Sequence, residues 1–274
     1  MLVRKVHAIY FSPAGNTGKV VTAAARAAAE YLSVPVTVTD FTEPSMREAP
    51  LCILPDELAV FGVPTYAGRV PNKILPYIRA LFSSDGAPAI ALVTFGNRSC
   101  DSSLTELRDE LSDAGFKVFG CAALVSRHVF SEKLAPGRPD ETDLLELNDF
   151  TKKAVQKLQA APSICGLGMP VVFDGAPVAP YYTPLGADGK PAVFLKAKPV
   201  TDPSSCDECG ICVKVCPMGS VKDPFTTEGV CIKCHACILK CPRHARHFKD
   251  PAFLSHVAML EANYTRPAHN SFFV

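Results

Sequence analysis

Residues 206–217 read CDECGICVKVCP, and residues 231–242 read CIKCHACILKCP. The two stretches form an internal repeat, because the four cysteines and the following proline of the first recur in the second, each displaced by 25 residues. Together they hold eight of the twelve cysteines in the chain. A disulfide framework is typical of small secreted domains, whereas this crowding within a 274-residue chain indicates a metal site.

The spacing within each unit, C-x2-C-x2-C-x3-C followed by proline, is that of bacterial two-cluster ferredoxins, in which the fourth cysteine ligates the other cluster. We therefore predict two [4Fe–4S] clusters. One is predicted to bind Cys206, Cys209, Cys212 and Cys241, and the other Cys231, Cys234, Cys237 and Cys216. Structural zinc is the alternative. It usually takes two separated pairs of ligands and would leave the third cysteine of each triplet without a role.

The residues around the cysteines give three further expectations. Apolar side chains within the motifs are expected to shield the clusters and keep their potentials low. His235 takes the place of Gly210 in the first repeat and is expected on a solvated loop, with a proton-coupled role as the alternative. His244, Arg246 and His247 form a basic group that either receives an acidic partner or balances the anionic cluster.

Length, composition and charge limit the class of protein. A chain of 274 residues favours two domains, and 48% hydrophobic residues suffice for a large core. The net charge of +1 predicts neither a nucleic-acid partner nor a polybasic membrane anchor. No run approaches the roughly 18 apolar residues of a membrane span. We interpret Met1–Phe11 as a strand and not a signal peptide, because no small-residue cleavage site follows it, and expect a cytoplasmic protein.

The first 160 residues alternate strand and helix patterns. The predicted strands are Val3–Phe11, Val34–Phe41, Leu58–Val63, Ala89–Phe95 and Lys117–Val125. The predicted helices are Gly18–Tyr31, Asn72–Phe82, Ser102–Ala114 and Glu141–Leu158. Apolar strands that alternate with helices indicate a parallel sheet covered on both faces. The predicted fold class is α/β, a flavodoxin-like, doubly wound five-stranded parallel sheet, joined to a small α+β two-cluster ferredoxin-like domain.

Changes in composition divide the rest of the chain. The α/β domain is predicted to occupy residues 1–160, and a Pro-rich interdomain segment residues 161–200. Within that segment Tyr181–Leu185 and Ala192–Lys198 flank a Gly-rich turn, which predicts a surface hairpin. The cluster domain is predicted at residues 201–250 and a helical tail at residues 251–274, with its helix around Phe253–Tyr264.

The turn Ser12-Pro13-Ala14-Gly15-Asn16-Thr17 lies between the first strand and the first helix, where an open parallel sheet receives phosphate. Backbone N–H groups, the helix N-terminus and the hydroxyls of Ser12 and Thr17 can bind a phosphate dianion there without any cation. Gly15 permits close approach of the backbone. The same residue types also cap helices, so the turn alone leaves that simpler interpretation open.

Three loops together resemble those of flavodoxins. The turn at residues 12–17 resembles the FMN-phosphate loop, and residues 62–71 (GVPTYAGRVP) and 95–98 (FGNR) resemble the two flavin-ring loops. With the cysteine repeat they resemble the anaerobe-type family in which a flavodoxin-like domain precedes a two-cluster ferredoxin domain. The resemblance implies that phosphate is held by Ser12, Ala14, Gly15, Asn16 and Thr17. It implies that the isoalloxazine ring is surrounded by Pro64, Thr65, Tyr66, Ala67, Gly68, Arg69, Gly96, Asn97, Arg98 and Cys100. Ala14 lacks the hydroxyl that many flavodoxins have there, which predicts weaker FMN binding.

Several residues of these loops have two interpretations. Tyr66 is the candidate to stack on the ring, the alternative being an ordinary loop aromatic. Arg69, Arg98 and Arg127 each follow a predicted strand and form either a cationic rim around the flavin or three solvated side chains. Cys100 is either redox-active or a packed thiol.

Clusters accept single electrons whereas FMN accepts one or two, so the expected function is electron transfer between the clusters and FMN. We expect a low-potential carrier or relay in anaerobic metabolism, with redox proteins as partners and the oligomeric state left open. An iron–sulfur flavoenzyme that reduces a quinone, a nitro compound or a similar small acceptor is the alternative. An assembly scaffold without flavin is a third class. No G-x-G-x-x-G follows a strand, so a built-in NAD(P) site is not expected.

Overall fold

A computed structural model describes residues 3–170 and 172–274; Met1, Leu2 and Val171 lie outside the described residues. The strands are β1 (Lys5–Tyr10), β2 (Val36–Asp40), β3 (Leu51–Ile53), β4 (Glu57–Pro64), β5 (Phe82–Ser84), β6 (Pro88–Phe95), β7 (Lys117–Val125), β8 (Val200–Thr201), β9 (Arg246–His247) and β10 (Ser271–Phe273). The α-helices are α1 (Asn16–Leu32), α2 (Leu75–Leu81), α3 (Ser103–Asp113), α4 (Glu141–Ala160), α5 (Ile211–Lys214), α6 (Ala236–Leu239) and α7 (Pro251–Asn263).

The central sheet has the strand order β2-β1-β4-β6-β7-β10. Its first five strands are parallel, and numbered among themselves they follow the order 2-1-3-4-5 of flavodoxin-like doubly wound sheets. All eight residues of β6 are buried, as expected for a central strand with helices on both faces. The predicted five-stranded parallel sheet is therefore confirmed.

Two apolar cores lie on opposite faces of this sheet. One core contains Val20, Val21 and Ala24 of α1 together with Leu147 and Phe150 of α4. The other core is formed by residues of α2 and α3, among them Ile78, Leu104 and Leu107, together with four phenylalanines whose ring centroids lie 5.0–6.1 Å apart. The helices thus leave the carboxyl ends of the strands as the open edge of the domain.

The C-terminal tail returns to the first domain. After α7 the chain forms β10, which pairs antiparallel with β7 at the edge of the central sheet. Asn270 fastens this return: its Oδ1 accepts the backbone N–H of Val125 at 2.9 Å, and its Nδ2 donates to Asp143 at 2.7 Å and to Glu146 at 2.6 Å. The sequence analysis predicted the helix in this tail but not the strand, because three residues are too few for a periodic pattern.

The Pro-rich segment makes a tight turn where a hairpin was predicted. Leu185 and Pro191 form one antiparallel bridge, and Gly186 N–H donates to the Lys190 carbonyl at 2.8 Å. The segment also contacts the first domain, since Tyr182 N–H donates to the Ala67 carbonyl at 2.8 Å. Among the described residues, no helix combines the length and the apolar character needed to cross a bilayer.

Candidate functional site

A cavity of about 630 Å³ lies at the carboxyl edge of the parallel sheet. Its walls include the turn after β1, the loop after β4 and the segments that follow β6 and β7. Ligands of open α/β sheets bind at this edge, where the strand order reverses. The volume lies within the range of small-molecule and cofactor sites.

The turn after β1 presents free N–H donors to this cavity. Ala14, Asn16 and Thr17 line it, and in the described chain their backbone N–H groups make no hydrogen bond to another residue. Ser12 Oγ accepts the N–H of Gly18 at 2.8 Å and so shapes the start of α1. Gly15 adopts φ +92°, a left-handed conformation that favours glycine. The unpaired donors at a helix N-terminus fit an anion such as a phosphate.

Most of the residues named from the resemblance meet at the cavity. Those that line it are Ser12, Ala14, Asn16, Thr17, Pro64, Thr65, Tyr66, Ala67, Gly68, Gly96 and Arg98. Four of the named residues do not line it: Gly15, Arg69, Asn97 and Cys100. Gly15 gives the turn its left-handed backbone conformation, and the side chains of the other three residues are engaged elsewhere in the fold.

Each of those three has a structural role. Arg69 forms a two-point interaction with Glu106, with nitrogen–oxygen distances of 2.8 and 2.6 Å. The side chain of Asn97 binds the tail: it donates to the Tyr264 carbonyl and accepts the N–H of Ala268 at 3.0 Å. Cys100 is buried in the core beneath the sheet edge.

Two of the three arginines expected at the rim line the cavity. Arg98 pairs with Asp101 and lies over the ring of Tyr182, 4.0 Å from the ring centroid. Arg127 pairs with Glu132 at 3.1 Å. Because each guanidinium has a carboxylate partner, its charge toward a ligand is partly compensated.

The sequence analysis missed part of the lining. Thr94, Ser126 and His128 lie at or just after the ends of β6 and β7, so the rule that ligands bind at strand ends could have found them. The outer wall of the cavity is formed by residues from distant parts of the chain, and no sequence pattern predicts that they lie there. It includes Tyr181, Tyr182, Pro184, Phe194, Leu195, Lys233, His256 and Leu260.

Two histidines near the cavity are held neutral. The N–H of Phe130 donates to His128 Nδ1 at 3.2 Å, so the ring proton of neutral His128 lies on Nε2. Burial, with smaller contributions from His256 and Arg98, lowers the pKa of His128 to about 4. The expectation that His235 lies on a solvated loop is wrong. Its ring is 7% exposed and packs against Phe130 and Phe248 with centroids 4.9 and 5.1 Å away, and burial lowers its pKa to about 3.

The cysteines of the repeat fall into two groups in space. One small cavity is lined by Cys206, Cys209, Cys212 and Cys241, together with Arg243 and Arg246. The fourth cysteine of the second unit therefore lies with the first three of the first unit. Left-handed residues, Gly210 at φ +71° and His235 at φ +61°, precede the short helices α5 and α6 and turn each loop around its site.

The remaining four cysteines form the second group. Burial raises the pKa of Cys234 strongly, and the nearby thiols of Cys237, Cys231 and Cys216 raise it further. Cys216 likewise contributes to the raised pKa of Cys231, after burial. Cys216 thus lies with the second triplet, as crosswise ligation requires. Within residues 3–170 and 172–274, no three His, Cys, Asp or Glu side chains converge closely enough to hold a single metal ion.

The second group of cysteines adjoins the large cavity. Cys231, Ile232 and Lys233 line that cavity beside the loop that contains Tyr66. Burial raises the pKa of Tyr66 well above its usual value, and the thiols of Cys234 and Cys231 add to the effect. Tyr66 therefore lines the cavity close to this cysteine group.

Two segments match family models, each described as a 4Fe-4S binding domain, at residues 198–221 and 228–248. The chain joins a flavodoxin-like fold to two 4Fe-4S binding segments. No curated protein matched the chain.

Solved structures similar to the first domain include two flavodoxins and an oxidoreductase. A flavodoxin from the domain Archaea is 16% identical over 57% of this chain and 99% of its own, with a TM-score of 0.41. A flavodoxin from Streptococcus pneumoniae TIGR4 is 19% identical over 57% of this chain and 99% of its own, with a TM-score of 0.37. Rubredoxin oxygen:oxidoreductase from Desulfovibrio gigas is 17% identical over 58% of this chain and 37% of its own, with a TM-score of 0.39.

The cysteines outside the repeat should differ sharply in reactivity. Cys52 is exposed, whereas Cys100 and Cys121 are buried, and burial raises the pKa of both buried thiols to about 12. At pH 8 roughly one in 10⁴ of the buried thiols is then ionised. We expect iodoacetamide to modify Cys52 at least ~100-fold faster than either buried thiol in the native protein. Peptide mass mapping measures the three rates, and equal rates without denaturant would contradict this burial.

Proposed function

We propose that this protein transfers electrons between two [4Fe–4S] clusters and an FMN bound in the large cavity. The 4Fe-4S segments give the chain a redox electron-transfer role; the flavin and the direction of transfer are parts of the proposal. When bound, the clusters exchange single electrons and FMN exchanges one or two. The roles of the protein are to position these groups, exclude water and adjust the surrounding charge.

The FMN site is supported by the cavity lining. The free N–H groups of Ala14, Asn16 and Thr17 suit the phosphate. The loops that contain Tyr66 and Arg98 both line the same cavity, which suits a flat ring placed against them. Gly96 lies against His128, where an added Cβ would come within 2.5 Å of the imidazole, so this part of the wall allows no larger residue.

The observation that carries the proposal is the position of Cys231 and Tyr66. Cys231 belongs to one predicted cluster and lines the cavity, and Tyr66 lines the same cavity close to the thiols of Cys231 and Cys234. We infer that this cluster exchanges electrons directly with the flavin. The other predicted cluster has Cys209 among its ligands. Because Cys209 is exposed, this cluster offers the route to an external redox partner.

The finer role we propose is a low-potential relay in the cytoplasm of an anaerobe. Three predicted ligands, Cys212, Cys234 and Cys237, are less than 10% exposed, and burial of a cluster disfavours its more negative reduced state. Cytoplasmic conditions keep such thiols reduced. The expected partners are redox proteins that dock near Cys209.

Reduction of a small acceptor is the second candidate function, and the outer wall of the cavity favours it. Tyr181, Tyr182, Phe194 and Leu195 extend the lining beyond the flavin loops and give it an apolar side. Such a surface suits an aromatic or quinone-like molecule stacked near the ring.

The test is an anaerobic preparation with iron, sulfide and flavin quantified, followed by rapid reduction of the clusters. We expect about eight irons and one FMN per chain, with flavin absorbance bleaching after the cluster absorbance changes. Zinc in place of iron, or a flavin that stays oxidised while the clusters are reduced, would refute the proposal. Turnover of reduced protein with ferredoxin-type proteins, compared with small quinones and nitro compounds, separates the two candidate functions.

A further inference from the structure

Arg246 is a buried cation without an anionic protein partner. Arg246 lies on β9 and is 3% exposed. The guanidinium donates to three neutral oxygens: Thr201 Oγ1 at 2.9 Å, Thr227 Oγ1 at 3.0 Å and the Pro224 carbonyl. Within the described parts of the chain it forms no ion pair, and its buried Nε has no hydrogen-bond partner.

The guanidinium lies between the two groups of cysteines. It forms part of the wall of the small cavity that holds Cys206, Cys209, Cys212 and Cys241. It also lies close to the other group: its strand β9 packs against α6, which carries Cys237, and Cys237 packs with Cys212 in one small buried cluster. Cys212 and Cys237 belong to different predicted clusters.

A buried charge without a counter-charge is strongly unfavourable, so such a residue is retained where something negative compensates it. The carboxylates do not provide this. Asp223 has a pKa lowered mainly by hydrogen bonds from Thr226 and Phe225, and Arg246 is the last of its influences. The remaining negative charge near the guanidinium is that of the cysteine thiolates and of the clusters they are predicted to hold.

We propose that Arg246 is a positioning residue shared by the two clusters, whose charge and Nε–H stabilise their reduced states and raise both reduction potentials. This inference rests on the proposed cluster sites. A cation between two anionic clusters stabilises an electron on either one, so it shifts both potentials in the same direction and keeps them close. Of the basic group predicted after the last cysteine, Arg246 therefore balances cluster charge, while His244 is exposed and His247 is half-buried.

The experiment compares Arg246→Gln, Arg246→Lys and Arg243→Gln with the wild type in the full-length chain. Arg243 is the matched control, because it lines the same small cavity but is exposed to solvent. Each variant is prepared anaerobically, its iron and sulfide are measured, and both cluster potentials are determined by redox titration monitored by electron paramagnetic resonance. We expect Arg246→Gln to move both potentials to more negative values, Arg246→Lys to move them less, and Arg243→Gln to leave the cluster ligated by Cys231 unchanged.

Arg246→Gln with full iron content and unchanged potentials would overturn the inference, and so would a shift in one cluster alone. If Arg246→Gln loses iron, the iron content of Arg246→Lys tests the inference. Retention of both clusters in the lysine variant supports charge compensation, and loss in both variants overturns it. A wild type without iron and sulfide would refute the proposed function together with this inference. A wild type with clusters but no flavin would refute the flavin part of the proposed function alone.

Discussion

Replacing Cys231 with alanine should remove one cluster and disconnect the flavin from the other. We expect iron to fall from about eight to about four per chain, because a cubane that lacks one of its four thiolates is not retained. Since Cys231 lines the cavity proposed for the flavin, reduction of the remaining cluster should then bleach the flavin at least ~100-fold more slowly than in the wild type. Iron analysis and stopped-flow absorbance measure the two effects.

Two further variants make this a test of the crosswise arrangement. Cys216 precedes Cys231 in the chain but lies with its group in space, so Cys216→Ala should reproduce the Cys231→Ala result. Cys206→Ala should also halve the iron, yet leave the flavin connected to the cluster that remains. Cys52→Ser, at an exposed cysteine outside the repeat, is the control that should change neither. Iron that stays near eight per chain in any ligand variant would show that the assignment of that ligand is wrong.

Replacing Asn16 with aspartate should abolish tight FMN binding without harming the fold. Asn16 is the first residue of α1 and lines the cavity beside the free N–H groups. A carboxylate at a helix N-terminus is favourable for the helix, but it repels the phosphate dianion by roughly 3 kcal/mol for each pair of unit charges about 5 Å apart at an effective dielectric of about 20. We expect the dissociation constant for FMN to rise at least ~100-fold. Quenching of flavin fluorescence on addition to flavin-free protein measures it.

A matched substitution and a second ligand separate this effect from general changes. Asn148→Asp makes the same charge change on the exposed side of α4, away from the cavity, and should leave FMN affinity unaltered. Riboflavin lacks the phosphate, so its affinity should be similar in Asn16→Asp and in the wild type. Equal loss of riboflavin and FMN binding in Asn16→Asp would contradict a phosphate site at this turn.

The parts of the protein that follow from local rules could be predicted from the sequence. Short apolar runs such as residues 89–95, which alternate with helical patterns, indicate buried parallel strands. The spacing of the cysteines likewise limits which metal groups they can bind. That the turn predicted to bind phosphate lies at the cavity follows for a similar reason, because its position after the first strand determines which edge of the sheet it faces.

The parts that depend on long-range packing could not be predicted. Asn97 lies in a loop that resembles a flavin loop, yet its amide binds the tail 167 residues away. His235 occupies a position where its counterpart is glycine, and only the fold shows the aromatic side chains that cover it. Arg69 follows a strand as expected, but its side chain turns to Glu106 on α3. In each case the partner lies far along the chain and no local pattern marks it.

The return of β10 to the central sheet makes the flavodoxin-like domain incomplete when it is cut at residue 160. Without Ser271–Phe273 the outer edge of β7 would expose unpaired backbone groups, a surface onto which strands of other chains can add. During translation, Val125 is made 145 residues before its partner Asn270, so the nascent sheet stays open on that side until the cysteine region has emerged. Closure of this sheet therefore comes after synthesis of the iron–sulfur region, and a truncated domain is expected to aggregate where the whole chain does not.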